Sequence, residues 1–141
     1  VLYSRTGNRD IDSYSGLASK MPVFTLISGI AIFASLGLPG FSGFIGEFFS
    51  LMGAFTSPFV HPGIAIFGAL GLVLGAGYLL WTFQKIYLGK LFLKNTDWSL
   101  PDLTNLELVS LFGLGIISIL LGIYPGLLFE LSDKFVTTLL K

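Results

Sequence analysis

The stretch "SLGLPGFSGFIGEFF", Ser35 to Phe49, combines two features that a membrane-spanning segment normally avoids. A carboxylate, Glu47, stands inside apolar sequence, and four glycines and a proline (Gly37, Pro39, Gly40, Gly43, Gly46) precede it. Proline removes an amide donor and glycine permits turns that other residues resist. Gly37, Pro39, Gly40 and Gly43 therefore predict a helix break, with Glu47 about one turn beyond it.

The surrounding sequence has the composition of a bilayer segment. Of 141 residues, 53% are hydrophobic and 11% charged, against roughly 25% charged in soluble domains. Three runs carry no charge: Met21 to Gly46, Phe48 to Gln84 and Leu108 to Phe129. Each exceeds the length of about 20 residues that crosses the hydrocarbon. Pro58 and Pro62, in "TSPFVHPG", divide the second run. The reading is an all-α, polytopic transmembrane bundle with a polar connector or interfacial segment over 1–22, three spans over 23–55, 64–88 and 105–124, and an amphipathic tail over 125–141. As one helix, the 33 residues from Val23 to Phe55 would run about 50 Å, well beyond a hydrocarbon core of about 30 Å. The first span is therefore read as discontinuous.

Non-helical backbone at membrane depth survives only where protein or a wet cavity surrounds it, and broken helices of this kind mark ion and substrate sites in transporters. A carboxyl in apolar surroundings favours its neutral form unless a cation stands nearby. It gains or loses a proton as neighbouring charges change, which is what a proton relay requires, and intramembrane carboxylates are functional by default. Glu47 is accordingly the candidate catalytic residue. The competing reading is a structural Glu hydrogen-bonded to amides freed by the break.

The other ionisable groups have plainer roles. Lys85, beside Trp81 and Tyr87, snorkels to an interface. His61 is a solvated turn residue, and Glu107 belongs to a capping box with Thr104 at the start of the third span. In the tail, Leu128, Leu131, Phe135 and Leu139 share one face, while Glu130, Asp133 and Lys134 form a polar one with a weak Glu130–Lys134 pair. Gly68, Gly71 and Gly75 make a small face on the second span, read as packing within a larger bundle. Arg5, Arg9 and Lys20 precede the first span and Lys85, Lys90 and Lys94 follow the second, so these ends share a side, cytoplasmic by the positive-inside rule. Lys134 and Lys141 lie on the other. Eight basic and eight acidic residues cancel, so no global field points to nucleic acid. The absence of cysteine excludes disulfides and Cys-ligated zinc or iron–sulfur clusters within the chain. No phosphate loop or nucleophilic triad appears. The sequence begins with Val1 and reads as a fragment.

"GLASKMP" (16–22), "ASLGLPGFSGFIGEF" (34–48), "YLLWTFQKIYLG" (78–89) and "LLGIYPGLL" (120–128) together resemble the antiporter-like membrane subunits of respiratory complex I, of the M or chain 4 type. The resemblance covers nearly the whole chain and corresponds to the last three helices of such a subunit. It implies a proton-translocating subunit of NADH-quinone oxidoreductase with no redox chemistry of its own, FMN, iron–sulfur clusters, NADH and quinone being held by other subunits. It also implies a line of buried charges, a Glu–Lys pair on an early helix, a central Lys and then Glu47, of which only Glu47 lies in this sequence. Many related branches carry lysine at this place, so the glutamate favours the M type. The implied partners are other membrane subunits of the complex, the lipid bilayer and N-terminal helices of the same chain, in a bacterial cytoplasmic membrane. Two other readings stay open: a subunit of a Mrp-type sodium/proton antiporter or membrane-bound hydrogenase, and a structural membrane module.

Overall fold

The structure, a computed structural model, describes residues 1–95 and 98–139 and, in the last helix, the side chains at 129, 130, 132, 133, 137 and 138. The apolar face read at Leu128, Leu131, Phe135 and Leu139, Lys134 with its pairing to Glu130, and also Asp97 and Lys141, lie outside the described residues. In chain order the elements are α1 (Leu2–Thr6), β1 (Tyr14–Ser15), α2 (Pro22–Ser35), α3 (Ser42–Thr56), α4 (Pro62–Tyr87), β2 (Phe92–Leu93), α5 (Asn105–Ile123) and α6 (Gly126–Leu139), with single 3-10 turns at Ile11–Ser13 and Leu17–Ser19.

The fold is mostly helical, and α4 and α5 are long and apolar enough to cross a membrane. Their 26 and 19 residues correspond to about 39 and 28 Å. Their faces expose Phe67, Val73, Leu74, Val109 and Leu114, large apolar side chains that water would penalise. The sequence read as one discontinuous span forms two helices, α2 of 14 residues and α3 of 15. Each reaches only about 21–23 Å. α5 packs against both, and α4 packs on α2 and α3.

The buried core lies outside the apolar runs. Leu17 and Met21 are wholly buried and are joined by Tyr14, Tyr87 and Leu100. Tyr14 stacks on Trp98 with ring centroids 5.3 Å apart. β1 pairs antiparallel with β2, Tyr14 opposite Leu93 and Ser15 opposite Phe92. Residues 1–22, read from sequence as a polar connector, thus form with 87–95 and 98–104 a compact cap over one end of the helices, and the ladder is an addition to an all-α reading. Tyr14, Leu17 and Met21 are too sparse to register as an apolar run, and only their convergence with distant residues makes a core.

Charged groups tie this cap together. Lys85 pairs with Asp12 and lies 4.7 Å from the centre of the Trp81 ring. Arg5 Nη2 donates to Glu107 Oε2 at 2.8 Å and to the Asp102 carbonyl at 3.1 Å. Thr104 and Glu107 form the capping box that starts α5: the Thr104 N–H donates to Glu107 Oε2 at 2.9 Å and the Glu107 N–H to Thr104 Oγ1 at 3.4 Å.

α2 starts differently. Its N-cap residue, Met21, has no side-chain acceptor, and the helix is capped from the other side of the fold. The Val23 N–H donates to Asp102 Oδ2 at 2.9 Å and the Phe24 N–H to Asp102 Oδ1 at 3.0 Å, while Leu103 N–H adds a third bond at 2.8 Å. Burial pushes the Asp102 carboxyl up, but the N–H groups of Val23, Leu103 and Phe24 and the Arg5 charge outweigh it and hold the carboxyl below its ordinary value. The folded chain therefore binds this proton less tightly than the unfolded one. The stabilisation is complete above the ordinary carboxylate range, about pH 4, and is lost as pH falls through the lower folded value. Thermal unfolding of the full-length chain in detergent should show this acid-side loss. Asp102→Asn should flatten it, and Asp102→Ala should cost about 1 kcal/mol at neutral pH.

Candidate functional site

The site is built where α2 gives way to α3. α2 ends at Ser35 and α3 begins at Ser42. The intervening amides mostly find backbone partners: Leu36 N–H donates to Ile32 O at 2.9 Å, Gly37 to Ala34 O at 3.4 Å, Leu38 to Phe33 O at 3.4 Å and Phe41 to Leu38 O at 3.1 Å. Pro39 has no amide hydrogen to place.

Of the four residues predicted to break the helix, Gly37, Pro39 and Gly40 lie in this turn and Gly43 does not. Gly37 and Gly40 have φ of +61° and +100°, the left-handed region that L side chains resist. Gly43 is the second residue of α3. It serves a close approach instead, since a Cβ there would overlap the Ala34 carbonyl oxygen. The same logic holds on the opposite wall, where a Cβ at Gly122 of α5 would overlap the backbone of Gly40 and Phe41. Ser42 and Ser118 join α3 to α5 beside this contact by a hydroxyl–hydroxyl bond of 3.0 Å.

Glu47 lies in the second turn of α3 and folds back onto the break. A Cβ at Gly37 would overlap its Oε2, so the carboxylate rests directly against the Gly37 backbone. Among the described residues, no side chain or amide forms a hydrogen bond or ion pair with it. The break is thus held by its own backbone bonds and by close packing rather than by the Glu47 carboxylate. Glu47 lines a cleft of about 400 Å³ with Gly46, Ser50 and Leu51 of α3 and Ala65 and Gly68 of α4. Gly68 admits Leu51, whose Cδ2 lies 3.5 Å from where a Cβ would be. The α4 residues of the cleft, Ile64 to Leu72, belong to its first three turns, so Glu47 stands nearer the His61 end than the cap end.

Glu47 is half-buried within this chain, less than its apolar neighbours in sequence imply. The cleft is walled by α3 and α4. Among the described residues no group of three acidic or histidine side chains lies close enough to hold a metal ion. His61 is exposed, and its Nδ1 accepts from Gly63 N–H at 3.1 Å as the N-cap of α4, a role that sequence reading missed. Gly71 and Gly75 meet nothing within 4 Å.

A family model described as "NADH:quinone oxidoreductase/Mrp antiporter, TM" matches residues 1–74, which include the break and Glu47. The chain belongs to this family. It is a multi-pass membrane protein, homologous to complex I subunit M and chain 4. NADH-quinone oxidoreductase subunit M of Rhodobacter capsulatus is 36% identical over 141 residues, covering 100% of this chain and 27% of the relative. NADH-ubiquinone oxidoreductase chain 4 of Chondrus crispus is 38% identical over 126 residues, covering 89% and 25%. A chain in the respiratory complex I of Thermus thermophilus with bound NADH superposes with a TM-score of 0.74 at 34% identity, covering 89% of this chain and 25% of that one. This antiporter-family chain therefore spans about a quarter of the length of the relatives it matches.

Two residues of the cap escaped sequence reading, Asp102 as the cap of α2 and Arg5 as the tie between two helix starts. One signal pointed to them. "KMPVF", Lys20 to Phe24, opens a helix at Pro22 with Met21, not Ser, Thr, Asp or Asn, at the N-cap position, so the acceptor had to come from elsewhere. Gly37→Ala should place a methyl against the Glu47 carboxylate and force a left-handed alanine, costing about 1–2 kcal/mol for the backbone alone. Gly53→Ala, in α3 with open space around it, should be neutral or stabilising by up to about 1 kcal/mol. Thermal unfolding of both variants checks the pair.

Proposed function

We propose that this chain is the terminal part of a proton-translocating subunit of NADH-quinone oxidoreductase and that Glu47 is its proton relay. In this reading α2, the turn at 36–41 and α3 make one discontinuous span, α4 and α5 make two more, and the cap faces the cytoplasm of a bacterium. The observation that carries it is the Glu47 carboxylate, lying against the backbone of a helix break and facing a cleft, without a described protein partner. A carboxylate consumed by freed amides would be structural. Here the amides of the turn described above donate to carbonyls instead, which supports the relay reading over the structural one.

The chemistry follows from the surroundings. Apolar walls disfavour a lone charge, so the proton affinity of a carboxyl in them responds to every nearby charge. The cleft beside the break gives room for water at the level of the carboxylate. Glu47 takes a proton from groups deeper in the subunit, and a positive charge arriving there then favours its ionised form. It releases that proton toward the 56–63 turn, to which it stands closer than to the cap. Gly37, against which the carboxylate rests, lies between the two routes. The relatives named above as subunit M and chain 4 of NADH oxidoreductases favour this assembly over a Mrp-type antiporter. Quinone reduction elsewhere in the complex supplies the driving free energy, and this chain itself binds no flavin, iron–sulfur cluster or NADH. Its partners are the neighbouring membrane subunits, the remaining helices of its own subunit and lipid.

Glu47→Gln removes the titrating group at nearly constant shape. In reconstituted vesicles containing the whole complex it should abolish or strongly slow quinone-linked proton pumping, while Glu47→Asp keeps part of the activity. Full pumping by the Gln variant would overturn the assignment, and loss of assembled complex with normal pumping per complex would point to the structural reading.

A further inference from the structure

We propose that Asp102 is a positioning residue for Glu47, acting through α2 as a rigid rod; the functional part of this inference rests on the relay reading. The two ends of α2 are held in different ways. At its start the Asp102 carboxylate takes the N–H groups of Val23 and Phe24, one on each oxygen. At its end Gly37 lies against the Glu47 carboxylate, and Ala34 O lies against Gly43 at the start of α3. Close-packed backbone leaves no slack at that end, so a small axial shift or rotation of α2 displaces the wall on which the carboxylate rests. The 14 residues between form a helix of about 21 Å without an internal proline, and it passes the displacement on.

Asp102 is itself anchored. Arg5 Nη2 bridges its carbonyl to the Glu107 carboxylate, so the start of α2 is tied to the start of α5. Arg5 Nη1 is buried with no partner among the described residues, a desolvation cost that the bridge made by Nη2 must offset. α5 in turn meets the break at Gly122 and Ser118. Two parallel helices thus leave one charged cluster and arrive together at the Gly37–Phe41 turn. The cap is a register device for the site, in addition to a cover for the helix ends.

The test uses the full-length chain in the assembled complex in membrane vesicles, comparing wild type, Asp102→Asn, Glu47→Gln and the double variant. Infrared difference spectra identify the carboxyl or carboxylate band of Glu47 by its loss in Glu47→Gln. Asp102→Asn, in which one of the two acceptor oxygens becomes an NH₂ donor, is expected to move that band and to lower quinone-linked proton pumping several-fold, with no further loss in the Glu47→Gln background. A band unmoved by Asp102→Asn overturns the positioning role, and so does a pumping loss that multiplies with that of Glu47→Gln. If Glu47→Gln pumps normally the relay reading fails, and a moved band still supports positioning. Should Asp102→Asn prevent assembly, Arg5→Gln takes its place. It leaves both amide bonds to Asp102 and is expected to move the same band by less, and an unmoved band again overturns the role.

Discussion

Backbone that leaves a helix among apolar helices must find partners for its amide and carbonyl groups within the protein. The turn from Leu36 to Phe41 is where this chain meets that constraint, and much of the fold is arranged around it. The turn closes its own short hydrogen bonds back to Ile32, Phe33, Ala34 and Leu38. Gly43 and Gly122 bring α3 and α5 into direct backbone contact with the end of α2 and with the turn itself. An alanine at either place would hold the helices apart. Tight packing keeps the irregular segment in one conformation, and one conformation is what gives the Glu47 carboxylate a defined seat on Gly37.

The opposite end of the helices solves a related problem with charge. Every helix start exposes amides without intrahelical partners, and three of the starts use three solutions. α4 has His61 immediately before its proline, α5 has the Thr104–Glu107 box, and α2 borrows Asp102 from the connector. Only the last links distant parts of the chain. Together with the Tyr14, Leu17, Met21, Tyr87 and Leu100 cluster and the two-residue ladder, it makes the cap the best-buried part of the molecule. The long helices keep most of their apolar surface outward, as suits helices long and apolar enough to cross a membrane.

What was legible beforehand divides by the range of the interaction responsible. Charge-free runs mark α4 and α5 because crossing hydrocarbon requires about 20 apolar residues in a row, a property of the local sequence. The Thr104–Glu107 box was legible for the same reason, its partners being three residues apart. The stop at Ser35 follows from Gly37 and Pro39. Gly43 was assigned to the break because it is a glycine near a proline, but its role is steric and depends on Ala34 and the path of α3. Residues 1–22 looked polar because their buried side chains are isolated in sequence.

By itself, then, the sequence determined the apolar segments, the place where helix gives way to turn, and the odd carboxylate beyond it, since each follows from the chemistry of neighbouring residues. The tertiary structure alone decided that Glu47 folds back onto Gly37, that it is only half-buried within this chain, and that Asp102 caps α2 in place of a missing local residue. Those three depend on atoms brought together across 10 to nearly 80 positions of sequence. Such contacts carry no periodicity or motif, because their energy comes from the approach of surfaces whose relative placement only the folded chain defines.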